Sequence, residues 1–109
     1  MQDTQLELFP IQQIRYSKAR MAEAFEEFDS LNPHVYRNLR TLAIEHVRKR
    51  GKTGAKLLVE ILRWEYAIQT RHAEDEYRIN NNWTAFYARK LMQEPELSEA
   101  FETRRQRSA

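Results

Sequence analysis

The sequence predicts a mainly α, single small helical domain of about five helices behind an extended N-terminal arm. A short β-hairpin, and with it a winged-helix-like variant, is the one β alternative. Three observations carry this reading. Only two Gly and three Pro occur in 109 residues, too few for the turns of a small sheet-rich domain. Apolar residues recur at spacings of three, four and seven along most of the chain, the period of an amphipathic helix. Hydrophobic residues make up 41% of the chain, with five Phe, five Tyr and two Trp, which suffices for one modest core at this length but not for two.

Residues 1–10 have no helical period and end at Pro10, so they read as an extended, mobile arm, with residues 11–109 as the helical domain. Ile14, Met21, Phe25 and Phe28 fall along one side of a first helix running from Ile11 to about Asp29, with Glu23, Glu26 and Glu27 facing water. Asn32-Pro33 reads as a side-chain cap followed by proline at the first helical position, where a missing N–H costs nothing. The second helix then carries Val35, Leu39, Leu42, Ala43 and Val47 to about Arg50, and Gly51 stands where a left-handed C-cap belongs. Thr53 is placed to cap a third helix bearing Leu57, Leu58, Ile61, Leu62 and Ile68. In the polar stretch 69–82, Tyr77-Arg78-Ile79 is the candidate strand, and Asn80, Asn81 and Asn82 read as turn and cap residues. Trp83, Phe86, Tyr87 and Leu91 mark a fourth helix, and Pro95 opens a fifth with Leu97, Ala100 and Phe101 inward, before a fraying Arg104-Arg105-Gln106-Arg107 tail.

The absence of Cys excludes a disulfide scaffold, a thiolate zinc site and a Cys nucleophile, and fits a reduced, cytoplasmic setting. There is no apolar run of 18 residues and no positively flanked apolar opening, so neither a membrane span nor a signal peptide is expected. The net charge of +2 hides an uneven distribution. Residues 1–31 hold three basic and six acidic groups, whereas residues 32–56 hold seven basic and one acidic. The positive charge is thus gathered between Arg37 and Lys56.

Within the arm, Gln5-Leu6-Glu7-Leu8-Phe9 closely resembles the peptides by which bacterial proteins dock on the DNA polymerase sliding clamp, which read Gln-Leu-(Ser or Asp)-Leu-Phe. Gln5, Leu6, Leu8 and Phe9 match, and Glu7 replaces the usual Ser or Asp. The resemblance implies that Leu8 and Phe9 enter an apolar pocket on the clamp, Leu6 meets its lip and the Gln5 amide takes a polar subsite. An exposed extended segment suits such a mode. The competing reading makes Leu6, Leu8 and Phe9 a flap over the core, since alternate apolar residues often play that part.

A second resemblance runs from Phe25 to Arg104. Phe25-x-x-Phe28, Asn32-Pro33-x-Val35-Tyr36, Leu62-Arg63-Trp64-Glu65, Ile79-Asn80-Asn81-Asn82-Trp83, Tyr87-Ala88-Arg89 and Phe101-x-x-Arg104 together resemble a family of small phage and prophage proteins. That likeness implies a mobile-element setting in a bacterial host and one helical domain, and assigns no site.

Arg48, Lys49, Arg50, Lys52 and Lys56 form a candidate phosphate-binding patch, to which Asn80, Asn81 and Asn82, and Arg89 and Lys90 on the fourth helix, add candidate nucleic-acid contacts. Tyr36, Trp64, Tyr66, Trp83 and Tyr87 are candidates for base stacking. The structural alternative is that the cations complement a helix dipole, the aromatics fill the core and the asparagines cap. A helix-turn-helix made of the third and fourth helices requires a shorter connection than this chain has. Gly51-Lys52-Thr53 lacks the earlier glycine of a phosphate loop, which falls at His46. His34, His46 and His72 lack metal-ligand spacing, and no set of carboxylates or Ser-His-Asp residues is singled out. No catalytic residue, metal or cofactor is therefore expected. The leading expectation is a non-enzymatic, phage-type accessory protein that docks on the sliding clamp and acts at replicating DNA or blocks clamp partners. The alternatives are a helix-turn-helix or winged-helix-like DNA-binding regulator and an anti-defence protein inhibitor.

Overall fold

The computed structural model describes residues 5–70 and 77–101. Within them the chain is mainly helical: α1 spans Met21–Leu31, α2 Pro33–Arg50, α3 Ala55–Thr70 and α4 Thr84–Leu91, with single 3-10 turns at Lys18–Arg20 and Asn81–Trp83. The fold is a small helical domain in which α2 packs on α1 and α3, and α4 on α3. Its centre is aromatic. Trp83, 1% exposed, stacks on Phe28 at 5.2 Å and lies 5.8 Å from Phe25, while Tyr87 meets the Phe25 ring edge-on at 4.9 Å. Val35 and Leu39 of α2, Leu58 and Leu62 of α3 and Leu91 of α4 complete the core. Each such side chain contributes about 1.5–3 kcal/mol by leaving water.

The first helix is shorter than its apolar spacing predicts. Residues 11–17 belong to no helix and α1 begins only at Met21. Two tertiary contacts hold this stretch out of a helix. Ile11 is buried in the core, and the Gln12 main chain is engaged at both polar groups by the Asn32 side chain. Farther along, Tyr16 packs on Trp83 at 5.0 Å. The non-helical segment therefore continues well past Pro10.

Asn32 does not cap α2 with its side chain. Fully buried, its amide accepts from the Gln12 N–H at 2.7 Å and donates to the carbonyls of Gln12 at 2.9 Å and Phe28 at 3.0 Å. Pro33 opens α2 as expected, and Gly51 closes it at φ 88 with its N–H on the Val47 carbonyl. Thr53 is buried rather than capping α3, its N–H bonded to the Ala100 carbonyl in an isolated bridge between Thr53 and Phe101.

In α3 the inward side is Leu58, Val59, Leu62 and Tyr66, whereas Leu57 and Ile68 are exposed and Trp64 is 65% exposed. Asn80 caps as expected, accepting the Asn82 N–H. No strand occurs at Tyr77-Arg78-Ile79 among the described residues, and Ile79 is instead buried in the core. Pro95 opens no fifth helix. Residues 92–101 form successive turns, with N–H bonds from Leu97 to Glu94 and from Ala100 to Leu97, because Leu97 and Ala100 must reach the core while the segment follows α2 toward Thr53. His72, the acidic run Glu74–Glu76 and the basic tail lie outside the described residues.

The two glycines differ in what they do. An added Cβ meets nothing within 4 Å at either, but only Gly51 has positive φ. Gly51→Ala is expected to cost about 1 kcal/mol by urea unfolding, and Gly54→Ala to cost nothing measurable.

Candidate docking segment and basic corner

The arm lies along the start of α2. Asn38, on the inward stripe of that helix and 2% exposed, accepts the Glu7 N–H at 2.8 Å and donates to the Glu7 carbonyl at 3.0 Å. One helix-borne amide thus satisfies both main-chain groups of one arm residue, as Asn32 does for Gln12. The Glu7 carboxylate receives a two-pronged contact from Arg37, with Nε and Nη2 each at 2.8 Å. The Glu7 carbonyl also accepts the Phe9 N–H at 2.9 Å, a tight turn centred on Leu8.

Of the four residues matching the clamp-binding peptide, Leu6 and Leu8 are half-buried and packed on the core, while Gln5 and Phe9 are exposed. Phe9 is 54% exposed, its ring 5.6 Å from His34. The arm is thus partly the flap of the competing sequence reading, and not an element detached from the core.

The Arg37 guanidinium holds the Glu7 carboxyl below the usual glutamate range. Burial lowers His34, against the opposing pull of main-chain contacts to Phe9 and Pro10 and of the Glu7 carboxylate. A second cluster joins α1, α2, α4 and the turns after α4. Lys90 pairs with Asp29 and lies 4.3 Å from the Tyr36 ring centre, and Tyr36 donates to Glu94 at 2.6 Å. Arg40 reaches the same Glu94 oxygen at 3.1 Å. Burial, reinforced by Glu94, raises the Tyr36 hydroxyl well above its ordinary range, and the Tyr36 hydrogen bond lowers Glu94.

The ten candidate nucleic-acid residues fall into three sets on different elements. Arg48, Lys49 and Arg50 end α2, Lys52 follows the Gly51 turn and Lys56 lies in the first turn of α3. Arg48 approaches Glu96 at 4.0 Å and Lys49 pairs with Glu45 at 3.6 Å, while Arg50, Lys52 and Lys56 are exposed with no ion-pair partner among the described residues. The asparagines serve the turn before α4: Asn80 caps, Asn81 accepts from Arg63 at 2.6 Å and Asn82 donates to the Tyr16 hydroxyl at 2.8 Å. Arg89 lies 4.8 Å from the Phe86 ring centre. Lys90, expected to point outward, is half-buried in its pair with Asp29, because the α1–α2 corner presents a carboxylate there. Residues 71–83 separate α3 from α4, far more than a helix-turn-helix connection.

Of the aromatic stacking candidates, Tyr66, Trp83 and Tyr87 are buried, Tyr36 is half-buried and Trp64 is exposed. Asn32, His34, Arg37 and Asn38, which hold the arm, were not legible as site residues. The usable signal was Asn38, a polar residue on the apolar stripe of Val35, Leu39 and Leu42.

Comparison of the chain with protein-family models, with curated proteins and with solved structures returns no match.

The depressed His34 pKa sets a direction for pH dependence. The folded chain binds the proton less readily than the unfolded one, so this contribution is present above about pH 6.5 and is lost as pH falls through the folded value. Urea midpoints are expected to fall between about pH 7.5 and about pH 5. His34→Gln should show a smaller fall over the same interval.

Proposed function

We propose that this chain docks on the bacterial DNA polymerase sliding clamp through Gln5, Leu6, Leu8 and Phe9, as a non-enzymatic, phage-type accessory protein acting at replicating DNA or excluding other clamp partners. The observation that carries the reading is the four-residue match in a segment belonging to no helix or sheet, with Gln5 and Phe9 open to solvent. Such a segment hands an extended peptide to a groove without unfolding any helix. The exposed Phe9 ring gains most by entering an apolar pocket, since its burial is largely unrealised in the free protein.

The basic corner supports a second, separable contact with DNA. Arg50, Lys52 and Lys56 flank one tight turn without acidic partners among the described residues, an arrangement suited to backbone phosphates. A weak DNA contact beside a clamp-docking peptide raises the affinity of both through effective concentration.

In calorimetric titration with purified clamp, Phe9→Ala is expected to weaken binding at least about thirtyfold, the loss associated with a buried aromatic anchor. Its circular dichroism should match that of the wild type. Equal binding by the two, or no binding by any form of the chain, overturns the proposal. Leu8→Ala is the less clean test, because Leu8 also packs on the core. For the DNA contact, three phosphate contacts predict a slope of log K against log salt near about −3. Combined alanine substitution of Arg50, Lys52 and Lys56 should remove that binding, and failure of the wild type to bind duplex at low salt excludes the contact.

A further inference from the structure

The segment proposed to dock is held by the domain at the residues it would have to present. We infer that the arm is a latched, self-masked docking peptide: Asn38 and Arg37 hold residues 6–8 closed on α2, and partner binding requires residues 5–9 to peel away about Pro10. The inference rests on the clamp-docking reading and adds its regulation.

Two asparagine rungs define the device. Asn38 takes both main-chain groups of Glu7, and Asn32 takes both of Gln12. An amide used in this way recognises an extended backbone whatever its side chains, and the burial of both asparagines shields these bonds from water. The side chains between the rungs divide by role. Leu6 and Leu8 are half-buried against the core, yet they are two of the four residues the docking mode must present. A leucine packed on this domain cannot also fill a pocket in a partner, so closed and docked states exclude each other. Gln5 and Phe9 remain exposed and available for first contact.

The two rungs are unequal in what surrounds them. Beyond Pro10 the chain is rooted by buried Ile11, by Asn32, by Gln13 donating to the Arg78 carbonyl at 2.8 Å and by Tyr16 against Trp83 and Asn82. Before Pro10 the polar hold among the described residues is the Asn38 rung, the exposed Arg37 contact and the His34 ring against the Phe9 main chain. Pro10 itself is exposed and has no N–H to bind, which makes it the natural boundary between root and latch. Partner affinity then equals the intrinsic affinity reduced by the fraction of open arm, so weakening the latch tightens binding.

The test uses the full chain as wild type, Asn38→Ala and Arg37→Ala, read by amide hydrogen exchange without partner and by calorimetry with purified sliding clamp. Asn38→Ala is expected to speed Glu7 amide exchange at least about tenfold while Gln12 stays protected, and to tighten clamp binding by a similar factor. Arg37→Ala, at an exposed position outside the core, should act in the same direction by about two- to fivefold. It carries the test if Asn38→Ala fails to fold. Glu7 exchange unchanged in the folded variants overturns the latch. Faster Glu7 exchange with unchanged clamp affinity overturns the masking and leaves the docking reading standing. Faster exchange with no clamp binding by any form overturns the docking reading itself, and the masking with it.

Discussion

The structure depends on one buried amide. Asn32 lies between α1 and α2 with no exposure to water, and each of its hydrogen-bonding demands has to be met inside the protein. It meets them by bonding the last turn of α1 at the Phe28 carbonyl and by gripping the Gln12 main chain. The α1–α2 corner and the course of the N-terminal segment are therefore set by the same side chain. Moving any of the three strands a donor or acceptor away from solvent, at a cost of about 1–3 kcal/mol. Pro33, directly after it, commits the chain to a new helix direction.

With that corner in place, α2 becomes the axis on which extended chain is laid. The arm covers its beginning through Asn38 and Arg37, and the turns after α4 run beside it through Glu94 and Glu96 to the Thr53 bridge. These segments bring acidic groups to a basic helix. Glu7 meets Arg37, Glu94 meets Arg40 and Glu96 approaches Arg48. Each pair is solvent-accessible and worth little to stability, so their consequence is mainly one of distribution. What the linear sequence presents as a continuous basic stretch from Arg37 to Lys56 is reduced to the corner of Arg50, Lys52 and Lys56.

The proposed docking role inherits this economy of contacts. A docking peptide in water must resist collapse onto its own domain, and one bearing alternate leucines has an apolar reason to collapse. Here the collapse is specific. Asn38 reads the backbone, Arg37 reads the Glu7 carboxylate, and the ring of Phe9 is left outside. The position where this sequence departs from the docking pattern, Glu7, is the position the domain grips.

The fifth helix expected at Pro95 gives way to turns that carry Leu97 and Ala100 to the core. By contrast, the four helices that form, the Pro33 start, the Gly51 stop and the Asn80 cap were legible in the sequence, because each depends on dihedral preference or periodicity within a few residues. So was the candidate docking string, whose pattern is contiguous. Matters decided across the fold were not. The α3 sequence carries two stripes of helical period, Leu58-Leu62-Tyr66 and Leu57-Trp64-Ile68, and only packing on α2 and α4 selects the first for burial. Residues 11–17 have a helical pattern, yet buried Ile11 and the Asn32 amide hold them out of a helix. Lys90 reads as an outward cation until Asp29 is placed beside it. The sequence by itself thus determined a helical domain with a non-helical arm ahead of it, and the tertiary structure decided that the arm lies along α2 with Leu6 and Leu8 against the core. The physical reason is range: a helix or a turn is chosen by near neighbours, whereas the partner of a buried amide or a charged side chain is chosen by whatever the fold brings to it.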